Sequence, residues 1–320
     1  MDKKGYYIYI YIYIGTWNIM TMLKTGRMHE IADEMLKTQL QIIALQELRW
    51  KGVRQINNTK YTLRYSCNSE KTGQLGTGFM IQNEIKKNIL SFEPYNERMC
   101  KLRIKGKFSN LSIINVHAPA KEKIDEEKGK FYEDLQIVHN KIPKHDIVII
   151  LGDLNAKIGK EDVYQNVAGK HTLHEASNRN GEWVCDYAIA NNMKIVGTYY
   201  QHKRIHRGTW ISTEGNKLDQ IDHVIIDAKK KGVVEDVRTM RSLNCDSDHF
   251  LVQTIIKQKL IRTQIKVVKQ AKWNQSNLQD PAKLKQYSTC LCNKLIGKEA
   301  QQDIEEEWTH VKKTIIESDN

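Results

Sequence analysis

The chain opens on a strict alternation: Tyr7-Ile8-Tyr9-Ile10-Tyr11-Ile12-Tyr13-Ile14 follows Tyr6. A period of two built from good strand formers predicts a first β-strand. The same stretch makes residues 1–14 a low-complexity segment, of the kind a TA dinucleotide repeat encodes. The period then changes. Met28, Ile31, Ala32, Met35 and Leu36 recur at helical spacing, with Thr25 where an N-cap is expected. Short apolar runs at 42–45, 76–81, 111–116 and 146–151 predict buried strands, the last most strongly. Helices are expected near 126–142, through Phe131, Leu135, Val138 and Ile142, and near 181–192, through Trp183, Val184, Tyr187 and Ala188. Strands follow near 194–197, 220–226 and 249–256. Many strands with interspersed helices make a mixed α/β (α+β) domain over residues 15–257.

Beyond residue 257 the pattern differs. Lys259, Arg262, Lys266, Lys269 and Lys272 occur with no acid between them, a basic linker. Asp280-Pro281 is an N-cap and N1 pair. Leu284, Tyr287, Leu291 and Leu295 mark one amphipathic helix, and Ile304, Trp308, Val311 and Ile315 another. Residues 258–320 therefore read as a linker and helical tail.

Composition narrows the class. Of 320 residues, 40% are hydrophobic and 28% charged, ordinary for a globular chain. Lysine and arginine number 50 against 38 acids, so the net charge is 50 − 38 = +12. That favours a polyanionic partner, nucleic acid or an acidic membrane surface. Six scattered cysteines without CxxC pairs read as reduced thiols of an intracellular protein. No apolar run approaches the roughly 20 residues that span a bilayer, and no secretory signal is visible. Lys229-Lys230-Lys231 reads as a solvated charge run, with a weak nuclear signal as the alternative.

The candidate chemistry lies at strand ends. Glu47 follows 42–45, His117 follows 111–116, and Asp153 and Asn155 follow the 146–151 run. Asp222 lies inside an apolar strand, and Asp248-His249 opens the last one. Taken singly, Gly152-Asp153-Leu154-Asn155 is equally a turn, and Gln46-Glu47 and Ser247-Asp248-His249 are ordinary strand ends. Asp222 resists that explanation, because a buried carboxylate is costly unless paired, hydrogen-bonded or on a metal. If these ends converge, they form an acidic, histidine-containing site suited to Mg²⁺ and proton transfer.

Trp17-Asn18, Gln46-Glu47, Asn115-Val116-His117-Ala118-Pro119, Gly152-Asp153-Leu154-Asn155, Thr209-Trp210, Gln220-Ile221-Asp222-His223 and Ser247-Asp248-His249 occur in one order. That order resembles the endonuclease/exonuclease/phosphatase superfamily, which includes DNase I, the apurinic/apyrimidinic endonucleases and the LINE retrotransposon endonucleases. The likeness spans residues 15 to 256. Gly15-Thr16-Trp17-Asn18, His117-Ala118-Pro119 and Thr209-Trp210-Ile211-Ser212 are similar to the RTE/BovB-type and craniofacial development protein 2-like subgroup. The tail around Trp273 and Glu305-Glu306-Glu307-Trp308 is similar to it as well. In such elements a reverse transcriptase follows; this chain stops first.

The resemblance implies a four-layered α/β sandwich, two packed mixed β-sheets flanked by helices. It implies that Glu47 with Asn18 holds Mg²⁺ (Mn²⁺ substituting), with Asp248 supporting the metal or His249. Asp153 would orient or deprotonate the attacking water, and Asn155 would donate to the scissile phosphate. His249, held by Asp222, would stabilise developing charge. His117 stands where many relatives have tyrosine. Hydrolysis would leave 3′-hydroxyl and 5′-phosphate ends. Arg204, Arg207, Thr209, Trp210, Asn216 and Lys217 are the expected DNA contacts, the last two on a hairpin that in the family reaches a groove. Two departures weaken a repair-enzyme reading: Met20 where many abasic-site enzymes have aspartate, and Ala120 where they have asparagine. The leading expectation is a monomeric, nuclear, Mg²⁺-dependent DNA endonuclease of retrotransposon origin. The alternatives are a phosphatase or RNA-acting nuclease of the same superfamily, and a domesticated, non-catalytic chromatin-binding module.

Overall fold

The computed structural model describes residues 11–70, 73–212, 217–257 and 279–295, and residues 308, 311, 314 and 315 of the tail. In chain order its elements are β1 (Tyr11–Asn18), α1 (Arg27–Lys37), β2 (Ile42–Gln46), β3 (Val53–Asn57), β4 (Tyr61–Ser66) and β5 (Thr77–Gln82). Next come β6 (Ile89–Asn96), β7 (Met99–Ile104), β8 (Leu111–His117), α2 (Asp125–Asn140), β9 (Ile147–Asp153) and α3 (Arg179–Ala190). The rest are β10 (Met193–Ile195), β11 (Trp210–Ile211), β12 (Leu218–Asp219), β13 (Asp222–Asp227), β14 (Val234–Met240), β15 (Leu251–Lys257) and α4 (Pro281–Leu295).

Two mixed sheets carry the fold. One has the order β14-β15-β1-β2-β5-β4-β3, the other β10-β13-β9-β8-β7-β6. Between them lies one apolar layer, with Ile12, Ile14, Phe79, Leu102, Ile113, Ile149, Val224 and Val252 all buried. The outer face of the first sheet is covered by Ile31, Ala32 and Met35 of α1, packed on Ile43, Leu45 and Leu63. The outer face of the second is covered by Phe131, Leu135 and Val138 of α2 and Val184 and Ala188 of α3. Helix, sheet, sheet and helices make the four layers. Strands buried on both faces explain the unbroken apolar runs of β2 and β9.

Local differences from the sequence expectation have physical causes. Helix α1 is preceded by Gly26 at φ +86°, with no side-chain cap, so Thr25 does not serve as the N-cap. Glycine reaches that left-handed conformation without steric cost and starts the helix one residue later. Helix α3 starts at Arg179, where the Asn178 side chain accepts from the Gly181 N–H. Asp280 does cap α4, its Oδ1 accepting from Ala282 N at 3.0 Å. The Tyr-Ile segment enters the fold at Tyr11: Ile12 and Ile14 face the inter-sheet core, and β1 pairs with both β15 and β2. Its residues 1–10 lie outside the described residues, as do the basic linker, Trp273, Ile304 and Glu305–Glu307. The chain divides into two compact units, Met1–Thr263 and Gln264–Asn320.

A polar bolt crosses the otherwise apolar layer. Gln46 Nε2 donates to Thr16 Oγ1 at 3.0 Å and to Asn115 Oδ1 at 2.6 Å. Asn115 Nδ2 donates to the Leu45 and Gly78 carbonyls at 2.9 and 2.8 Å. This ties β8 of one sheet to β1, β2 and β5 of the other, one residue before Glu47 and two before His117. Asn115→Ala takes one acceptor from the Gln46 amide, which keeps Thr16, and one donor from each of two carbonyls, so a loss of about 1–3 kcal/mol in a denaturant titration is expected.

Candidate active site

Topology alone gathers the strand-end residues. Strands β1 and β2 are parallel, as are β8 and β9, so each pair ends on the same edge. Strand β15 is antiparallel to β1 and β13 to β9, so their starts lie at that edge too. Asn18 ends β1, Glu47 follows β2, His117 ends β8, Asp153 ends β9, Asp222 begins β13, and His249 stands two residues before β15. In register, Asp153 sits between His117 on one neighbouring strand and Asp222 on the other. Gly152 is required there. It has φ +149°, and a Cβ on it would lie 1.9 Å from the Val116 carbonyl oxygen.

Hydrogen bonds and close ionic contacts bring these residues together. Asn18 Nδ2 donates to Glu47 Oε1 and to Asp153 Oδ2, both at 2.9 Å. Asp153 Oδ1 accepts from Asn155 N at 2.9 Å, and Asn155 Nδ2 donates to the Ala118 carbonyl at 3.1 Å. His249 Nδ1 lies 3.0 Å from Asp222 Oδ2, and its Nε2 lies 3.8 Å from Asp153 Oδ2. His117 Nε2 is 3.8 Å from both Glu47 Oε1 and Asp153 Oδ2. Asp248 Oδ2 accepts the Trp210 indole N–H at 2.8 Å. Glu47 and Asn155 hold φ of +58° and +50°. Such left-handed non-glycine residues cost on the order of 1 kcal/mol each and cluster at functional sites.

Burial and charge divide the titratable groups. Burial opposes ionisation of Glu47, but the His117 imidazole, the Asn18 amide and the Arg49 guanidinium outweigh it and hold the carboxyl below its usual range. Burial, reinforced by the charge of Asp222, pushes the Asp153 carboxyl up. For His249, burial works against the charged form, but Asp222 and Asp153 prevail and raise it to about 9. Burial holds His117 below the usual imidazole range. His223, next to Asp222, faces away, its Nε2 2.7 Å from the Ala156 carbonyl, and burial lowers it to about 4.

The group opens on a cleft of about 870 Å³. Glu47, His117, Asp153, Asn155, Asp248 and His249 line it, with Trp210 and Lys217 at one side. Asp153, Asp222 and His249 offer ligand atoms all within 4.8 Å of one another. His249 Nδ1 is held by Asp222, however, so the better cation position is Glu47. Glu47 Oε1 accepts only from Asn18 and keeps a second lone pair, while Oε2 takes both the Nε and Nη2 donors of Arg49. The Glu47, Asp153 and Asp248 carboxylates line the cleft as oxygen donors, among the cations Arg49, Arg98, Lys157 and Lys217. A hard divalent cation fits that donor set.

The expected DNA contacts fare unequally. Arg204 and Lys217 are exposed. Arg207 instead donates to the His171 and Thr172 carbonyls at 3.1 and 3.0 Å, bracing a loop. Thr209 is buried, its hydroxyl accepting the Ile221 and Asp222 N–H groups at 3.0 and 3.1 Å, so it positions the Asp222 strand rather than presenting a contact. Trp210 is half-buried. Asn216 lies outside the described residues. Five cleft cations are not singled out by the sequence: Lys121, Lys123, Arg49, paired with Glu47 at 2.5 Å, Lys157, paired with Asp219, and Arg98, which donates to the His117 carbonyl at 3.2 Å. Lys157 stands two residues after Asn155 and Arg49 two after Glu47, a spacing that offered the available signal.

A two-sheet sandwich with this cleft at one edge defines the class of protein. The chain belongs to the Endonuclease/Exonuclease/phosphatase family, whose model matches residues 15–249. More particularly, it is 31% identical over 247 residues to craniofacial development protein 2 of Tragulus javanicus, covering 77% of this chain and 42% of that protein. The chain thus spans about two-fifths of the length of the curated relatives it matches. The fold is that of the Xenopus laevis APE2 catalytic domain (TM-score 0.59, 18% identity, 78% of this chain and 94% of that one). It is also that of the endonuclease domain of TRAS1, a telomere-specific non-LTR retrotransposon (TM-score 0.54, 14% identity, 77% and 98%). Among the described residues no helix is long and apolar enough to cross a membrane.

Proposed function

We propose that this chain is a Mg²⁺-dependent DNA endonuclease of retrotransposon origin. The observation that carries the reading is geometric: Glu47, Asp153 and His249 meet at one cleft, with Asp222 Oδ2 3.0 Å from His249 Nδ1, an ion pair that keeps the imidazole charged. A charged imidazole cannot accept a proton, so His249 stabilises negative charge on the phosphate. Asp153 is left to orient the water and take its proton. The Asn155 amide and the His117 imidazole line the same cleft and donate to phosphate oxygens. Glu47 with Asn18 and Asp248 would hold Mg²⁺, or Mn²⁺ in its place, which would supply Lewis-acid charge at the scissile phosphate. In-line attack of the water on phosphorus breaks the bond to the 3′ oxygen, leaving a 5′-phosphate, and the 3′ oxygen takes a proton from solvent to become a 3′-hydroxyl. The +12 net charge and the exposed Arg204 and Lys217 support a nucleic-acid substrate over a small phosphoester.

Supercoiled plasmid is the test. With Mg²⁺ the chain is expected to give open circles whose ends a polymerase extends without pretreatment, and with EDTA none. Folded protein that binds the plasmid and nicks it in neither Mg²⁺ nor Mn²⁺ overturns the reading.

A further inference from the structure

Trp210 lies in the cleft, yet its polar edge faces protein. The indole N–H is donated to Asp248 Oδ2 at 2.8 Å, a charge-assisted bond. The other Asp248 oxygen stands 4.0 Å from His249 Nε2. The backbone repeats the link. Trp210 pairs antiparallel with His249, Ile211 N donates to the Asp248 carbonyl at 3.0 Å, and Phe250 N donates to the Thr209 carbonyl at 2.7 Å. The Trp210 and His249 rings lie 6.3 Å apart between centroids. At the far side of the same two-stranded ribbon, Trp210 pairs with Asp219, whose carboxylate is bound by Lys157. The ribbon is therefore anchored on both flanks of the cleft, and its tryptophan is fixed at the ring and at the backbone.

We propose that Trp210 is a positioning residue: its indole N–H fixes the rotamer of Asp248, and the β11–β12 ribbon thereby holds Asp248 and His249 in place against Asp153. A tryptophan that serves only by stacking on a base needs a free face and makes no use of its nitrogen. Here the nitrogen has a carboxylate and the side chain is half-buried. Phenylalanine keeps the ring and removes only the N–H, so it separates the two roles.

The rate prediction rests on the endonuclease reading; the bond itself does not. In plasmid nicking, Trp210→Phe is expected to lower kcat about tenfold with KM for duplex unchanged. In an Asp248→Ala background the same substitution is expected to add nothing, since both act through one contact. A raised KM at unchanged kcat, or full additivity with Asp248→Ala, overturns the proposal in favour of direct DNA contact. Independently of turnover, the Trp210 indole ¹⁵N–¹H resonance, assigned by its loss in Trp210→Phe, is expected to be protected from exchange. It should shift and lose that protection in Asp248→Ala. An indole signal indifferent to Asp248→Ala overturns the proposal even if the enzyme is active. If the wild-type chain nicks nothing, the endonuclease reading fails while the indole signal still decides the contact.

Discussion

Asp153→Asn is expected to cut nicking about 10³-fold, within the range that loss of a general base produces, while duplex binding persists or tightens. The substitution keeps the shape and removes the charge. Asparagine can still accept from Asn18 or from the Asn155 backbone, so the cleft should keep its geometry. Stability should move the other way. Asp153 is buried and beside Asp222, and its carboxyl is raised, which means the fold disfavours its ionised form. A neutral residue there relieves that cost, so the unfolding temperature should not fall. Single-turnover nicking together with thermal unfolding checks both halves. Retention of nicking within tenfold removes Asp153 from the proton-transfer role. Loss of activity with a lowered unfolding temperature makes its role structural.

The parts of this molecule that sequence reveals are those where burial is uniform along a strand. Ile147–Leu151 is apolar without a break because β9 is covered on both faces, and Asp153 after it stands out for that reason. The sequence also shows that Glu47, His117, Asp222 and His249 border such runs. It does not show that six of the strands meet at one edge; that follows from which pairs are parallel and which antiparallel. Strand β3 leaves little trace because it is an edge strand with mostly exposed, polar side chains, and β6, an edge strand of the other sheet, is broken by Glu93 and Pro94 and buries none of its residues fully. Strand β7 was hidden by Lys101 and Arg103, whose charges pair with Glu93 and Asp146. Gln46 and Asn115 look like ordinary polar interruptions, yet both are fully buried. Thr209 was misread for a related reason. Beside a run of cations it suggests a phosphate contact, but its hydroxyl serves two backbone N–H groups beneath the surface. Long-range partners of this kind leave no periodic trace.

The charge on His249 gives the second large effect, and its sign follows from Asp222. Native His249 is raised to about 9 from an ordinary value of 6.5. It is therefore protonated at neutral pH, and nicking should fall as pH rises through about 9. Asp222→Asn removes the strongest opposing force to burial, so the imidazole loses its proton nearer neutrality. At pH 8 the variant should be slower by about 10²-fold, the scale set by loss of one preorganised charge stabiliser, with partial recovery near pH 6. Stability carries the same signature without any need for turnover. A histidine raised in the folded state contributes fully below its unfolded value near 6.5, and that contribution, a few kcal/mol at most, is lost as pH rises through about 9. Denaturant titrations at pH 6 and pH 9.5 should therefore differ more for the wild type than for Asp222→Asn. An Asp222→Asn protein with an unshifted alkaline limb means that His249 does not act through its charge.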